Sequence, residues 1–189
     1  MKTKSRIESK KGLLLNIGAG ESRPPGFVNL DKRKLPGIDI VHDLEVIPYP
    51  IESNSCLTIL GSHIWEHLKP WKTIDVMNEL WRIMKVDGQL ALSMPYGVNE
   101  LFQQDPTHCN PSNQATWQYF DPGYPLWLVY KPKPWKIQPG FPVYQITGLM
   151  EVVMRKMDDK KKPDNRKHTG SLKSIQKKDT RRHTNHRVA

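Results

Sequence analysis

Leu13-Leu14-Leu15-Asn16-Ile17-Gly18-Ala19-Gly20-Glu21 is the stretch on which the fold turns. A short apolar run that stops at Gly-Ala-Gly predicts a buried strand entering a tight loop. Three further runs, at residues 27–31, 38–43 and 56–61, end in Asp31, Asp43 and Gly61 and read as strands of the same kind. Ile64, Leu68, Ile74, Met77, Leu80, Trp81 and Met84 then recur at three- and four-residue steps, which predicts helix, with Pro70 allowed where a second helix begins. Val86-Asp87-Gly88 breaks that pattern, and residues 89–94 form a fifth strand stopped by Pro95. Near the end, residues 143–146 and 150–154 flank Thr147-Gly148 in the manner of an antiparallel hairpin. Strands that alternate with helical or loop segments predict an α/β protein with a mostly parallel sheet. Ligands of such sheets sit at the carboxyl ends of the strands.

The chain of 189 residues is long enough for one domain with a real core. Cys56 and Cys109 make no CxxC pair and read as reduced thiols. No stretch reaches the roughly 18 consecutive apolar residues of a membrane helix, and the charged first residues lack a signal-peptide core. These absences predict a cytoplasmic protein with no membrane partner. Most of the net charge of +10 falls in residues 157–189, which carry eleven Lys or Arg against four Asp and almost no large apolar residues. Such a segment cannot bury enough surface to offset its ordering entropy. The expected organisation is therefore a domain over 1–156 and a disordered basic tail over 157–189. The tail reads as a solubilising segment, or alternatively as a tether to RNA or DNA.

A Gly-x-Gly after a strand lets backbone approach a ligand closely. A dinucleotide site would add a third glycine, a helix whose N-terminus faces the pyrophosphate, and an acidic residue about 20 residues on. Here Glu21-Ser22-Arg23-Pro24-Pro25-Gly26 fills that space and Asp31 arrives early, leaving room for a helical turn at most. The absent helix and the carboxylate of Glu21 suit a cationic ligand without phosphate. S-adenosylmethionine is such a ligand: Asp31 would accept from both ribose hydroxyls, and Asp43, with the Leu44 backbone beside it, from the adenine amine.

These segments resemble the class I, Rossmann-like S-adenosylmethionine-dependent methyltransferases. Leu14 to Gly20 is similar to their first motif, and Asn29-Leu30-Asp31 to the acidic end of their second strand. His42-Asp43-Leu44 resembles their adenine-contacting segment, Gly61 to Leu68 the segment after the fourth strand, Leu80 to Leu90 the helix, turn and fifth strand, and Met150 to Lys156 the last strand. The chain departs from them in very short connections after the first two strands and in Asp87 where proline is usual. The resemblance implies cofactor contacts at Asn16, Gly18, Ala19, Gly20, Asp31, Asp43, Leu44, Gly61 and Ser62.

His63-Ile64-Trp65-Glu66-His67 is also H-x-x-E-H, an inverted zinc-protease signature. On a helix His63 and His67 would share a face, but the segment's place after the fourth strand speaks against a zinc hydrolase. The candidate bases are His108 first, then His67, with Asp105 beside them in the loop after the fifth strand. The centre is read as metal-free. Some family members hold a divalent cation between a Glu-His segment here and a later His, so whether one on Glu66, His67 and His108 assists stays open. Trp117, Tyr119 and Phe120 read as a lid or as a stacking surface for an acceptor. The expected activity is methyl transfer from S-adenosylmethionine to an oxygen or nitrogen of a small-molecule or sugar-like acceptor. The alternatives are a nucleic-acid methyltransferase that uses the basic tail and a catalytically silent cofactor-binding module.

Overall fold

The computed structural model describes residues 12–159. The predicted apolar runs become strands of one sheet: β1 (Leu13–Ile17), β2 (Val28–Asp31), β3 (Ile40–Val41), β4 (Cys56–Ser62) and β5 (Met84–Pro95). The later part of the chain adds β6 (Trp135–Ile137), β7 (Val143–Tyr144) and β8 (Leu149–Lys156). The order across the sheet is β3-β2-β1-β4-β5-β8-β6, with β7 also paired to β8. β1 to β5 are mutually parallel, and β8 runs antiparallel to β5, β6 and β7. The fold is thus α/β, mostly parallel, and the expected hairpin is the β7–β8 pair.

The register explains the core. Leu15, Ile59, Leu90 and Met154 stand in one row across the strands, and Ile17, Gly61, Leu92 and Val152 in another. All of these are buried. α1 (Thr73–Ile83) contributes Val76, Met77, Leu80 and Ile83 to the same core, at the spacing of one helix face. The opposite rows, which include Leu14, Leu60, Ala91 and Val153, are only half-buried. Parallel sheets are normally covered on both faces. Here the connections from β1 to β2, β2 to β3 and β3 to β4 contain no helix, so they cannot cover the second face in the usual way.

The structure corrects several boundaries. Only Ile40 and Val41 of residues 38–43 pair as a strand. Residues 38 and 39 precede the strand, and the Asp39 carboxylate accepts from Asn29 N. The apolar pattern from Ile64 is not continuous helix: Trp65–His67 and Pro70–Lys72 are single 3-10 turns, and α1 starts at Thr73. β5 begins directly after α1, so residues 85–88 form a bulge within the strand instead of a break before it. Asp87 has φ +61° there, a conformation that proline, fixed near −65°, cannot adopt. The long loop holds three short helices, α2 (Glu100–Gln103), α3 (Gln114–Gln118) and α4 (Trp127–Tyr130). Trp117 and Phe120 are buried against Trp65, with ring centroids 4.5 and 6.3 Å away. Those two aromatics are core, neither lid nor stacking surface. The basic tail lies outside the described residues beyond Asp159. Among the described residues no helix is long and apolar enough to cross a membrane.

Candidate functional site

The chain leaves β1 outward through β2 and β3, then returns to β4 and β5 on the other side. Such a reversal leaves a crevice at the carboxyl ends of the strands. A cleft of about 490 Å³ opens there, and its lining includes Gly18, Asp31, Arg33, Asp43, Leu44 and His67. Gly18 has φ +61°, and a Cβ on it would lie 2.5 Å from Ile64 Cγ1, so no other residue fits this position without displacement.

Asp31 is buried at the end of β2. Its Oδ2 accepts from Gly20 N at 2.8 Å, and its Oδ1 accepts from Arg33 N at 2.8 Å and Arg33 Nε at 3.2 Å. Burial pushes the Asp31 carboxyl up, but these hydrogen bonds and the Arg33 charge outweigh it and hold the group below its ordinary value. Asp43 lies exposed on the cleft wall, where its Oδ1 accepts from Glu45 N at 2.9 Å. Leu44 beside it is buried, with its carbonyl accepting from the Tyr49 hydroxyl at 2.8 Å.

The other residues expected at the cofactor stand behind the lining. Asn16 Nδ2 donates to Ser22 O at 2.8 Å and Asn29 Oδ1 at 3.0 Å, which ties the loop to β2. Ala19 is buried with its N–H on Leu30 O, and Gly20 sits under the Arg33 guanidinium. Gly61 is hemmed in by Leu92 and Ile17, and Ser62 is exposed at the end of β4. Glu21 turns to an ion pair with Arg23 at 2.8 Å.

The histidines gather at one end of the cleft. His63 has φ +52° and precedes the 3-10 turn, so it shares no helical face with His67, and the arrangement a zinc hydrolase needs is not formed. His67 lines the cleft. Its Nδ1 lies 3.1 Å from Thr107 Oγ1, which itself donates to Asp105 Oδ1 at 2.7 Å. A hydroxyl has one proton, so Nδ1–H of His67 donates to Thr107, and Nε2 is the ring nitrogen left outside that contact. Those contacts also hold the Asp105 carboxyl below its ordinary value, the Thr107 hydroxyl contributing most. His108 packs edge-on against His67 with ring centroids 4.7 Å apart and a side chain only 7% exposed. Its Nδ1 donates to Phe102 O at 2.8 Å. Its Nε2 is 3.7 Å from Asp105 Oδ2, too far for a hydrogen bond.

Sequence reasoning missed Arg33 and Thr107. Each stands two residues beyond an Asp already singled out, the spacing at which an Asp side chain meets nearby backbone N–H groups.

No protein-family model matches the sequence, and a search of the curated proteins finds no match. Solved structures do match. A SAM-dependent methyltransferase from Archaeoglobus fulgidus superposes with a TM-score of 0.56 at 15% identity, covering 77% of this chain and 86% of that one. The YcgJ protein from Bacillus subtilis gives 0.52 at 14% identity, over 78% of this chain and 92% of that one. PigF with SAH gives 0.51 at 13% identity, over 77% and 56%. The fold is that of the Rossmann-like methyltransferases.

Proposed function

We propose that this chain binds S-adenosylmethionine in the cleft and transfers its methyl group to an oxygen or nitrogen of a small-molecule or sugar-like acceptor. The observation that carries the reading is that Asp31, at the end of β2, and Asp43, two residues beyond β3, line one cleft beside a β1–β2 connection that contains no helix. A dinucleotide would lose its pyrophosphate anchor there, whereas two carboxylates suit ribose hydroxyls and an adenine amine. The likeness in fold to proteins named as methyltransferases supports the same reading. Gly18 gives the cofactor its close approach, Asp31 takes the ribose and Asp43 the adenine. Asn16, Ala19, Gly20, Gly61 and Ser62 hold the loops that present them.

The acceptor lies toward His67, whose Nε2 faces the task of taking its proton. Thr107 and Asp105 fix that tautomer, and His108 backs the ring. Methyl transfer of this kind is mainly a matter of in-line positioning, with a base to remove the acceptor's proton.

Calorimetry tests the cofactor. S-adenosylmethionine and S-adenosylhomocysteine should each bind one per chain, and NAD should give no heat. Binding of NAD with no response to either methyl-donor form would overturn the reading. Consumption of methyl donor against a fractionated metabolite extract, with the methylated product then identified, names the acceptor.

A further inference from the structure

Residues 124–130 read Tyr-Pro-Leu-Trp-Leu-Val-Tyr, and none of them is buried. They form α4 and the turn that leads into it, and Val129 and Tyr130 are 59% and 62% exposed. A run of apolar and aromatic side chains kept at the surface of a folded chain marks a face that meets something other than water. The exposure is built in, because both ends of the segment are pinned. The buried Asp121 carboxylate accepts from Gly123 N at 2.7 Å and from Ile137 N at 3.0 Å. Lys131 N closes the helix on Trp127 O at 2.8 Å, and Trp127 Nε1 donates to Pro132 O at 3.1 Å. Trp135, just beyond, is fully buried.

The surrounding charge indicates what the face meets. Lys131, Lys133 and Lys136 follow directly and are exposed, and the sequence has no Asp or Glu between Asp121 and Glu151. Asp159, the last described residue, pairs with Lys133 at 3.2 Å. Residues 160–189, with eleven Lys or Arg against two Asp, therefore continue from beside this face. Trp and Tyr among aliphatic neighbours, rimmed by lysine, suit a bilayer interface, where rings sit at headgroup level and ammonium groups meet anionic lipid. A nucleic acid would take the lysines and stack on the rings, but it offers nothing to Leu126, Leu128 and Val129. A second copy of the chain would bring the same lysines against these and be repelled.

We propose that residues 124–136 lie on the surface of an anionic membrane. α4 sits in the headgroup layer, while the lysines and the basic residues after Asp159 meet the lipid charge. Lying on a bilayer needs no spanning helix, so the sequence expectation of no membrane partner does not reach this kind of contact. A small apolar face or a basic segment alone holds a chain weakly, and stable attachment takes the two together. α4 leads into β6, whose Trp135 pairs with Lys156 at the end of the sheet where β5 begins. The cleft lies at the other end of the strands, so this proposal and the cofactor reading stand or fall separately.

The full chain is sedimented with vesicles of phosphatidylcholine alone and with vesicles that also carry about 30% phosphatidylserine. It should bind the anionic vesicles at least about tenfold more tightly. Amide hydrogen exchange on those vesicles should slow over residues 124–131. The double variant Val129→Asp with Tyr130→Ser changes exposed positions only, so its melting temperature should stay within about 2 °C of the parent. Its vesicle binding should be at least about tenfold weaker, with every basic residue still in place. Tyr130→Trp, which keeps an interfacial ring, should bind as the parent does or more tightly. The proposal is overturned by absence of binding to anionic vesicles, or by binding without protection of residues 124–131. It is overturned equally by binding that survives the double variant and so rests on residues 160–189 alone. Loss of self-association or of duplex binding in that variant, with vesicle binding intact, would give the face to a second copy or to a nucleic acid instead.

Discussion

Asp31 carries more contacts than its place in the cleft first suggests. The carboxylate that would receive the ribose hydroxyls already accepts two donors from Arg33 on Oδ1 and the Gly20 N–H on Oδ2. The Arg33 side chain is 59% exposed and can withdraw, so the ligand competes with a guanidinium held by one edge. Asp31→Ala should weaken S-adenosylmethionine binding by roughly 1.5–3 kcal/mol, the cost of losing a charged hydrogen bond. Arg33→Ala, which removes the competitor, should leave the affinity unchanged or higher. Calorimetry on the two variants separates these outcomes. The same contacts make a pH prediction. The Asp31 carboxyl is depressed in the fold below the 3.8 of an ordinary aspartate. Its stabilising contribution is therefore complete above about pH 4 and is lost as pH falls through the lower, folded value. Asp31→Asn should flatten the acid limb of the stability curve below pH 4 and leave its slope above pH 5 unchanged, as followed by urea unfolding.

Among the elements, α1 and the second face of the sheet make opposite predictions. Leu80 is buried in the core between α1 and the sheet, so Leu80→Ala should cost about 2–5 kcal/mol. Val153 stands in the half-buried row with Leu60 and Ala91, outside that core, so Val153→Ala should cost less than about 1 kcal/mol. Urea midpoints for the two variants measure how one-sided the packing is. The strands and the acidic strand ends could be read in advance because an apolar run closed by Asp or Gly carries its own boundary. The segment from Ile64 could not. Its three- and four-residue spacing is shared by an α-helix and by successive 3-10 turns, and the choice falls to the left-handed backbone of His63 and to Pro70. The His67–Thr107–Asp105 chain was equally hidden, since it joins residues forty apart through a loop with no periodicity. The aromatic rings of the long loop were visible as a cluster, but only packing against Trp65 shows that Trp117 and Phe120 face inward.

The charge of the whole molecule is divided along its length. Residues 160–189 hold eleven Lys or Arg against two Asp, nearly all of the net +10. Among the described residues, the lining of the cleft runs from Gly18 to Thr107. A chain ended after Asp159, which keeps the Lys133–Asp159 pair at 3.2 Å and the bond from Met157 N to Pro134 O, should bind S-adenosylmethionine within about twofold of the full chain. Affinity for RNA or DNA is a different matter. Each phosphate contact releases counterions, so binding through a basic segment falls steeply with salt. The full chain should bind a random-sequence duplex in a strongly salt-dependent way and the shortened chain should not, as measured by fluorescence anisotropy across a salt series. Turnover then decides between the two kinds of acceptor. With a small-molecule acceptor, kcat/KM should be the same for both chains at every salt concentration, because substrate capture owes nothing to the segment removed. If the shortened chain instead loses turnover on a nucleic acid in step with its binding, and the loss is greatest at low salt where the electrostatic contribution is largest, the acceptor is a polyanion delivered by the basic segment, and the small-molecule reading gives way.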